Sequence, residues 1–144
     1  MPTVSTACVL VADRHHGLFE GICGLLRTTF GKVFHVTDKA SLMDGAARLQ
    51  PTVIIMDLYF AAGNLPDRVH ELRRLAPEVR LVFLSVHEEP TVIASAIAAG
   101  ADGFVVKRTI ATDLVAAVAR VLAGQRYFPS SATDQAAGPL DPGE

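Results

Sequence analysis

The chain alternates between short apolar runs and longer segments in which apolar residues recur at helical spacing. The apolar runs predict five strands, near residues 7–12, 33–37, 52–56, 80–85 and 103–106. The helical pattern predicts five helices, near residues 17–29, 40–49, 66–75, 90–99 and 110–123. Strands that alternate with helices in this order predict an α/β fold with a parallel sheet.

Two of the strand-length runs are apolar at every position rather than at every second one. They are Val-Ile-Ile-Met at 53–56 and Leu-Val-Phe-Leu at 81–84. Such runs are typical of strands that helices cover on both faces. The pattern therefore predicts a doubly wound, five-stranded parallel sheet with five helices.

Length and composition fit one domain. A chain of 144 residues that is 50% apolar can bury a sizeable core, and we assign residues 1–126 to it. From residue 127 onward, proline and glycine replace the periodic apolar pattern. This composition predicts a flexible tail or linker over residues 127–144.

Charge, leader and cysteine content narrow the class of protein. The net charge of -2 gives no electrostatic reason for these residues to bind nucleic acid, so DNA contact would require a domain outside them. The chain has no basic start typical of a signal peptide and no apolar run of membrane-spanning length. We therefore expect a cytoplasmic protein without membrane contact, in which Cys8 and Cys23 are reduced core thiols.

Charged residues directly follow three of the predicted strands. Asp13 follows the first strand, Asp57 the third and Lys107 the fifth. The carboxyl ends of parallel strands line one crevice of an open α/β sheet. We therefore expect these three side chains to converge there.

Three segments carry a resemblance to a known family. Pro51–Leu58, Leu81–Ser85 and Ala99–Lys107 resemble, in order and spacing, the receiver domains of bacterial two-component response regulators. The resemblance covers roughly residues 7–128 and implies a flavodoxin-like fold. Ala123–Pro129 is similar to the end of receivers that precede a LuxR-type helix-turn-helix domain, which implies a role in transcription.

The resemblance also implies roles for four residues. Asp57 corresponds to the aspartate that accepts a phosphoryl group from a sensor histidine kinase, and Lys107 to a cation that stabilises the charge on that group. Ser85 corresponds to the hydroxyl that bonds a phosphoryl oxygen, and Phe104 to the aromatic residue whose rotamer follows it. A receiver is not an enzyme in the ordinary sense: at most it phosphorylates itself from phosphodonors and dephosphorylates itself.

The implied metal site departs from the family pattern. Receivers typically have two adjacent acidic residues after the first strand, whereas this chain has Asp13 followed by Arg14. A one-residue shift would align Ala12 and Asp13 instead, and one carboxylate is missing in either alignment. The implied Mg²⁺ ligands are Asp13, Asp57 and the backbone carbonyl of Tyr59, and the loss of a carboxylate to Arg14 weakens this site.

Arg14, Tyr59 and Val86 are the residues expected to border the phosphorylation pocket. Arg14 either places a fixed positive charge near Asp57 or turns outward to pair with an acidic neighbour. Tyr59 and Val86 are bulky for their positions and either restrict the entry of water or phosphodonor, or reflect ordinary sequence drift.

The last two predicted helices carry few charges. Residues 91–99 have none, and residues 111–123 have only Asp113 and Arg120. Helices that are apolar nearly all round are usually covered on more than one face, although alanine tolerates solvent. The resemblance favours a homodimer or docking of an output domain through helices 90–99 and 110–123, with Ala117 expected on the exposed side.

Three other interpretations of these residues are less favoured. The first is a pseudo-receiver, a protein-interaction module with the same fold that works without phosphorylation. The second is a metal cluster of His15, His16 and His87, whose spacing matches no zinc pattern. The third is a phosphatase of related fold, which is disfavoured because Asp57-Leu-Tyr59 lacks the Asp-x-Asp sequence that haloacid-dehalogenase-like enzymes require.

Overall fold

A computed structural model describes residues 5–14, 16–61 and 64–129. Within them, five parallel strands form one sheet: β1 (Ser5–Ala12), β2 (Phe30–Val36), β3 (Val53–Asp57), β4 (Arg80–Ser85) and β5 (Gly103–Val106). The spatial order of the strands is β2-β1-β3-β4-β5. This arrangement confirms the predicted doubly wound sheet.

Five helices connect or follow the strands: α1 (His16–Arg27), α2 (Lys39–Leu49), α3 (Leu65–Leu75), α4 (Pro90–Ala99) and α5 (Ile110–Leu122). Two short 3₁₀ helices, Leu58–Ala61 and Lys107–Thr109, were not predicted. The largest difference in a strand boundary is at β2, which begins at Phe30 rather than near residue 33. Phe30 is buried and pairs with Ser5, whereas the exposed Gly31 and Lys32 conceal the strand in the sequence.

The sheet separates two cores, as expected for strands that are covered on both faces. Alternate residues of β1 and β3 point to opposite sides. One side packs with α1 and α5 and contains Val9, Val11, Val53 and Ile55. The other packs with α2, α3 and α4 and contains Leu10, Ala12, Ile54 and Met56.

Side-chain caps and a glycine mark the helix ends in the sequence. The Asp38 carboxylate accepts a hydrogen bond from Ser41 N at 2.7 Å before α2, and the Asn64 amide oxygen accepts one from Asp67 N at 2.9 Å before α3. Helix α4 ends at Gly100, whose φ of 104° lies in the left-handed region that glycine adopts without steric cost. These local signals agree with the apolar pattern.

Residue 127 lies beside the last strand. Tyr127 forms a parallel bridge with Gly103; its N–H donates to Asp102 O at 3.1 Å, and its carbonyl accepts from Phe104 N at 2.9 Å. The part of the predicted tail at residues 130–144 lies outside the described residues. Where the tail begins stays a prediction.

Helices α4 and α5 expose mainly small residues. Thr91, Ala94 and Ala98 on α4 and Ala116 on α5 are exposed. Ala117 is fully buried, so the expectation that it faces outward was wrong: with alanine on both sides of the helix, the sequence pattern does not show which side packs inward. No described helix is both long and apolar enough to cross a membrane.

Candidate functional site

Strand register brings the polar strand-end residues to one edge of the sheet. Ala12 pairs with Met56, so Asp13 and Asp57 each lie one residue beyond a matched pair. Ser85 pairs with Val106, and Lys107 follows directly. These register positions place all four polar residues at the carboxyl edge of the sheet, where open α/β folds bind their ligands.

Lys107 joins the two carboxylates. Its Nζ donates a hydrogen bond to Asp57 Oδ2 at 2.5 Å and lies 3.0 Å from Asp13 Oδ2. The exposed fractions are 9% for the Lys107 side chain, 13% for that of Asp57 and 0% for that of Asp13. The structure therefore brings the three charged residues singled out in the sequence into one nearly buried cluster.

The neighbours of Lys107 favour the charged form of its ammonium group. Burial alone would lower the pKa of its ammonium group, but hydrogen bonds and charge attraction from Asp57 and Asp13 outweigh burial and raise the pKa. Lys107 is thus a permanent cation at neutral pH. Two carboxylates and one ammonium leave the cluster with one net negative charge.

The backbone of Asp13 is fixed by β2. Asp13 N donates to Val36 O at 3.2 Å, and Asp13 O lies 2.7 Å from Nε2 of the half-buried His35. Only the register of β1 against β2 reveals this contact, and no local motif marks it.

Ser85 and Phe104 occupy the neighbouring strand ends. Ser85 is 2% exposed, and its Oγ accepts a hydrogen bond from His87 N at 2.9 Å, which fixes the hydroxyl at the end of β4. Phe104 is fully buried among the residues that pack with α3 and α4, including Phe83 and Ile93. The aromatic ring therefore occupies an inward position.

The residues expected to border the pocket differ in placement. Arg14 is exposed, and Lys107 lies within bonding distance of both carboxylates. Val86 is 67% exposed. The backbone of Tyr59 lies in the first 3₁₀ helix, whereas its side chain lies outside the described part of the chain.

The histidine cluster considered in the sequence lies mostly outside the described residues. Within 5–14, 16–61 and 64–129, no group of three or more histidine, cysteine or acidic side chains is placed to hold a metal ion. His15 and the side chain of His16 lie outside the description, and His87 Nδ1 lies 3.6 Å from Glu89 Oε1. Any metal at the carboxylate cluster would therefore have two described side-chain ligands, Asp13 and Asp57.

Residues 9–119 match the response regulator receiver domain family. The chain belongs to this family. The match confirms the resemblance found in the sequence and shows that the chain is a signalling receiver rather than a classical enzyme.

Relatives and solved structures agree with the assignment. The receiver is 28% identical to the transcriptional regulatory protein MctR of Rhizobium johnstonii over 90% of this chain, and it spans 62% of the length of MctR. It superposes with a TM-score of 0.81 on a LuxR-family two-component response regulator from Aurantimonas, at 24% identity, covering 94% of this chain and 99% of that one. A structure of RcsB dimers bound to DNA gives a TM-score of 0.77 at 23% identity, with 90% of this chain and 67% of that one covered. The two structural likenesses show the fold alone.

We expect Lys107→Met to destabilise the receiver by about 3–5 kcal/mol at pH 7, because it leaves the buried Asp13 carboxylate without its cation. Lys39→Met, at an exposed lysine of α2, is the matched control and should stay within about 0.5 kcal/mol of the native chain. Urea denaturation measures both. Equal stability of the two variants would show that Lys107 does not hold the carboxylates together.

Proposed function

We propose that this receiver accepts a phosphoryl group on Asp57 from the phosphohistidine of a sensor kinase. The observation that carries the proposal is the Asp57 carboxylate at the sheet edge, 2.5 Å from the nearly buried ammonium group of Lys107. An Asp57 oxygen attacks phosphorus, the P–N bond to the histidine breaks, and the imidazole leaves. The carboxylate is a competent nucleophile once it is placed in line with the leaving group.

Lys107 and Ser85 have complementary roles in this scheme. A phosphoryl group on Asp57 adds negative charge beside the cation that already bonds this carboxylate, so Lys107 stabilises the product. The Ser85 hydroxyl donates to a phosphoryl oxygen, and this attraction draws the end of β4 toward Asp57. Phe104, buried beside β4, follows that movement and changes the surface near β5.

Mg²⁺ would assist the transfer by neutralising charge on the phosphoryl oxygens. The residues present fit such an ion only in part: Asp13 and Asp57 supply hard oxygen ligands, and the backbone carbonyl of Tyr59 is the third that we assign. Arg14 stands where a second carboxylate is usual. We therefore infer that Mg²⁺ binds weakly.

The same carboxylate would also accept a phosphoryl group from small phosphodonors and lose it slowly to water. These are the only self-catalysed reactions that we assign to the receiver. A pseudo-receiver that works without phosphorylation is not favoured, because Asp57 and Lys107 are both retained and in contact.

The output is proposed to act through helices α4 and α5. Their exposed small residues, among them Ala94, Ala98 and Ala116, allow a second copy of the receiver to approach closely. RcsB is described as dimers bound to DNA, and MctR as a transcriptional regulatory protein. We propose by analogy that this receiver dimerises and that a domain outside the present residues contacts DNA.

The first prediction concerns the acceptor. Incubation with phosphoramidate and Mg²⁺ should add one phosphoryl group to the intact mass, because Asp57 is the only carboxylate that we assign as nucleophile. The addition should vanish in Asp57→Asn and persist in the control Asp67→Asn, at an exposed carboxylate of α3. Labelling that survives in Asp57→Asn would place the acceptor elsewhere.

The second prediction concerns Mg²⁺. Arg14→Asp restores a carboxylate and removes a positive charge, so Mg²⁺ affinity should rise at least tenfold, about 1.4 kcal/mol. Calorimetric titration measures it. The control Arg74→Asp changes the charge of an exposed arginine on α3 by the same amount and should raise affinity far less. A native receiver that binds Mg²⁺ as tightly as Arg14→Asp would contradict the weakened site.

The third prediction concerns self-association. Ala116→Glu places a charge on the exposed side of α5 and should shift the receiver toward monomer in sedimentation equilibrium, because desolvation of the charge opposes burial in an interface. Ala47→Glu makes the same change on the exposed side of α2 and should leave association unchanged. If the native receiver stays monomeric both with and without phosphodonor, the proposed interface is wrong.

A further inference from the structure

Asp13 begins the turn after β1, and both its backbone N–H and its carbonyl are hydrogen-bonded. Asp13 N donates to Val36 O at 3.2 Å, which continues the parallel ladder between β1 and β2. β2 ends at Val36. The next contact between the two strands is made by a side chain: the ring of His35 lies 2.7 Å from the carbonyl oxygen of Asp13.

The chemistry of this contact fixes the role of the ring. A carbonyl oxygen only accepts, so Nε2 of His35 must carry the proton that it donates. Both the neutral ring with its proton on Nε2 and the charged ring meet this requirement. The hydrogen bond therefore does not depend on a change in the charge of His35.

The carboxylate of the same residue lies in the site. Asp13 is fully buried, with Oδ2 at 3.0 Å from Lys107 Nζ, and Lys107 also binds Asp57. The carbonyl and the side chain of Asp13 share one Cα atom, so a shift of the Asp13 backbone would move its carboxylate relative to Lys107. Since Arg14 takes the place of a second carboxylate, no neighbouring acidic residue in the turn can compensate.

We propose that His35 is a positioning residue of the phosphorylation site. By donating to the Asp13 carbonyl, it holds the turn so that the Asp13 carboxylate bonds Lys107, and Lys107 in turn meets Asp57 and its phosphoryl group. His35 itself lies on β2 and acts only through Asp13. The effect on phosphorylation rests on the proposed role of Asp57 as acceptor, whereas the effect on the turn does not.

The test uses two substitutions of similar size. In His35→Gln the side-chain amide provides a donor near the position of Nε2, and in His35→Leu no donor remains. His70→Leu, at an exposed histidine of α3, is the control. Urea denaturation first establishes that each variant is folded under assay conditions, and His35→Phe, a planar ring without a donor, replaces the leucine variant if that variant does not fold.

Hydrogen exchange of the Asp13 amide, which bonds Val36 O, measures how firmly the backbone of the turn is held. We expect this amide to exchange at least tenfold faster in His35→Leu and within about threefold of the native rate in His35→Gln and His70→Leu. The initial rate of phosphorylation by phosphoramidate at fixed Mg²⁺ measures the effect on function. The initial rate should fall at least tenfold in His35→Leu, about 1.4 kcal/mol in the barrier, and be restored to within about threefold by His35→Gln.

The outcomes separate the two proposals. The positioning role is overturned if the Asp13 amide exchanges at the native rate in a folded His35→Leu. It is also overturned if a folded His35→Gln shows the same loss of phosphorylation rate as the leucine variant. Faster exchange with an unchanged phosphorylation rate also overturns it, because the turn would then not matter to the reaction. If the native receiver takes no phosphoryl group, the proposed acceptor is wrong, and amide exchange alone decides whether His35 holds Asp13.

Discussion

The contact of one ammonium group with two carboxylates is the constraint on which the functional edge of this receiver depends. Asp13 is fully buried, and a buried carboxylate is costly unless it is paired. Lys107 supplies the pairing because β1, β3 and β5 all end at the carboxyl edge of the sheet. The strand register is therefore a requirement of the site as well as of the sheet.

This arrangement changes the charge that an incoming phosphodonor meets. The cluster has two carboxylates, at 2.5 and 3.0 Å from the lysine nitrogen, and Asp13 is followed by Arg14 rather than by a second acidic residue. Arginine in place of a carboxylate makes the formal charge of this turn more positive by two. Under the proposed mechanism, the arginine at position 14 both lowers the repulsion of an anionic donor and weakens the Mg²⁺ site.

Much of the fold was predictable because the relevant signals are local. Continuous apolar runs such as 53–56 identify strands covered on both faces, and Gly100 marks the end of α4. The charged residues of the site were predictable for a related reason: Asp13, Asp57 and Lys107 directly follow strands, and parallel topology carries them to one edge. The family match then agreed with the fold that these patterns indicate.

The features that were missed depend on packing between elements. Ala117 and Ala116 are the same residue type in the same helix, and only contact with the sheet buries the first and exposes the second. The role of His35 requires the register of β2 against β1, which no local pattern encodes. The 3₁₀ helix at Lys107–Thr109 likewise follows from how the chain leaves β5 to begin α5.

The bridge at Tyr127 bears on how the isolated receiver behaves in solution. An exposed strand edge offers unpaired N–H and carbonyl groups on which another chain can add a strand. Tyr127 covers the outer side of β5 by bonding Asp102 O and Phe104 N. A receiver cut before this residue would uncover those groups and leave the edge of β5 open to pairing with another chain.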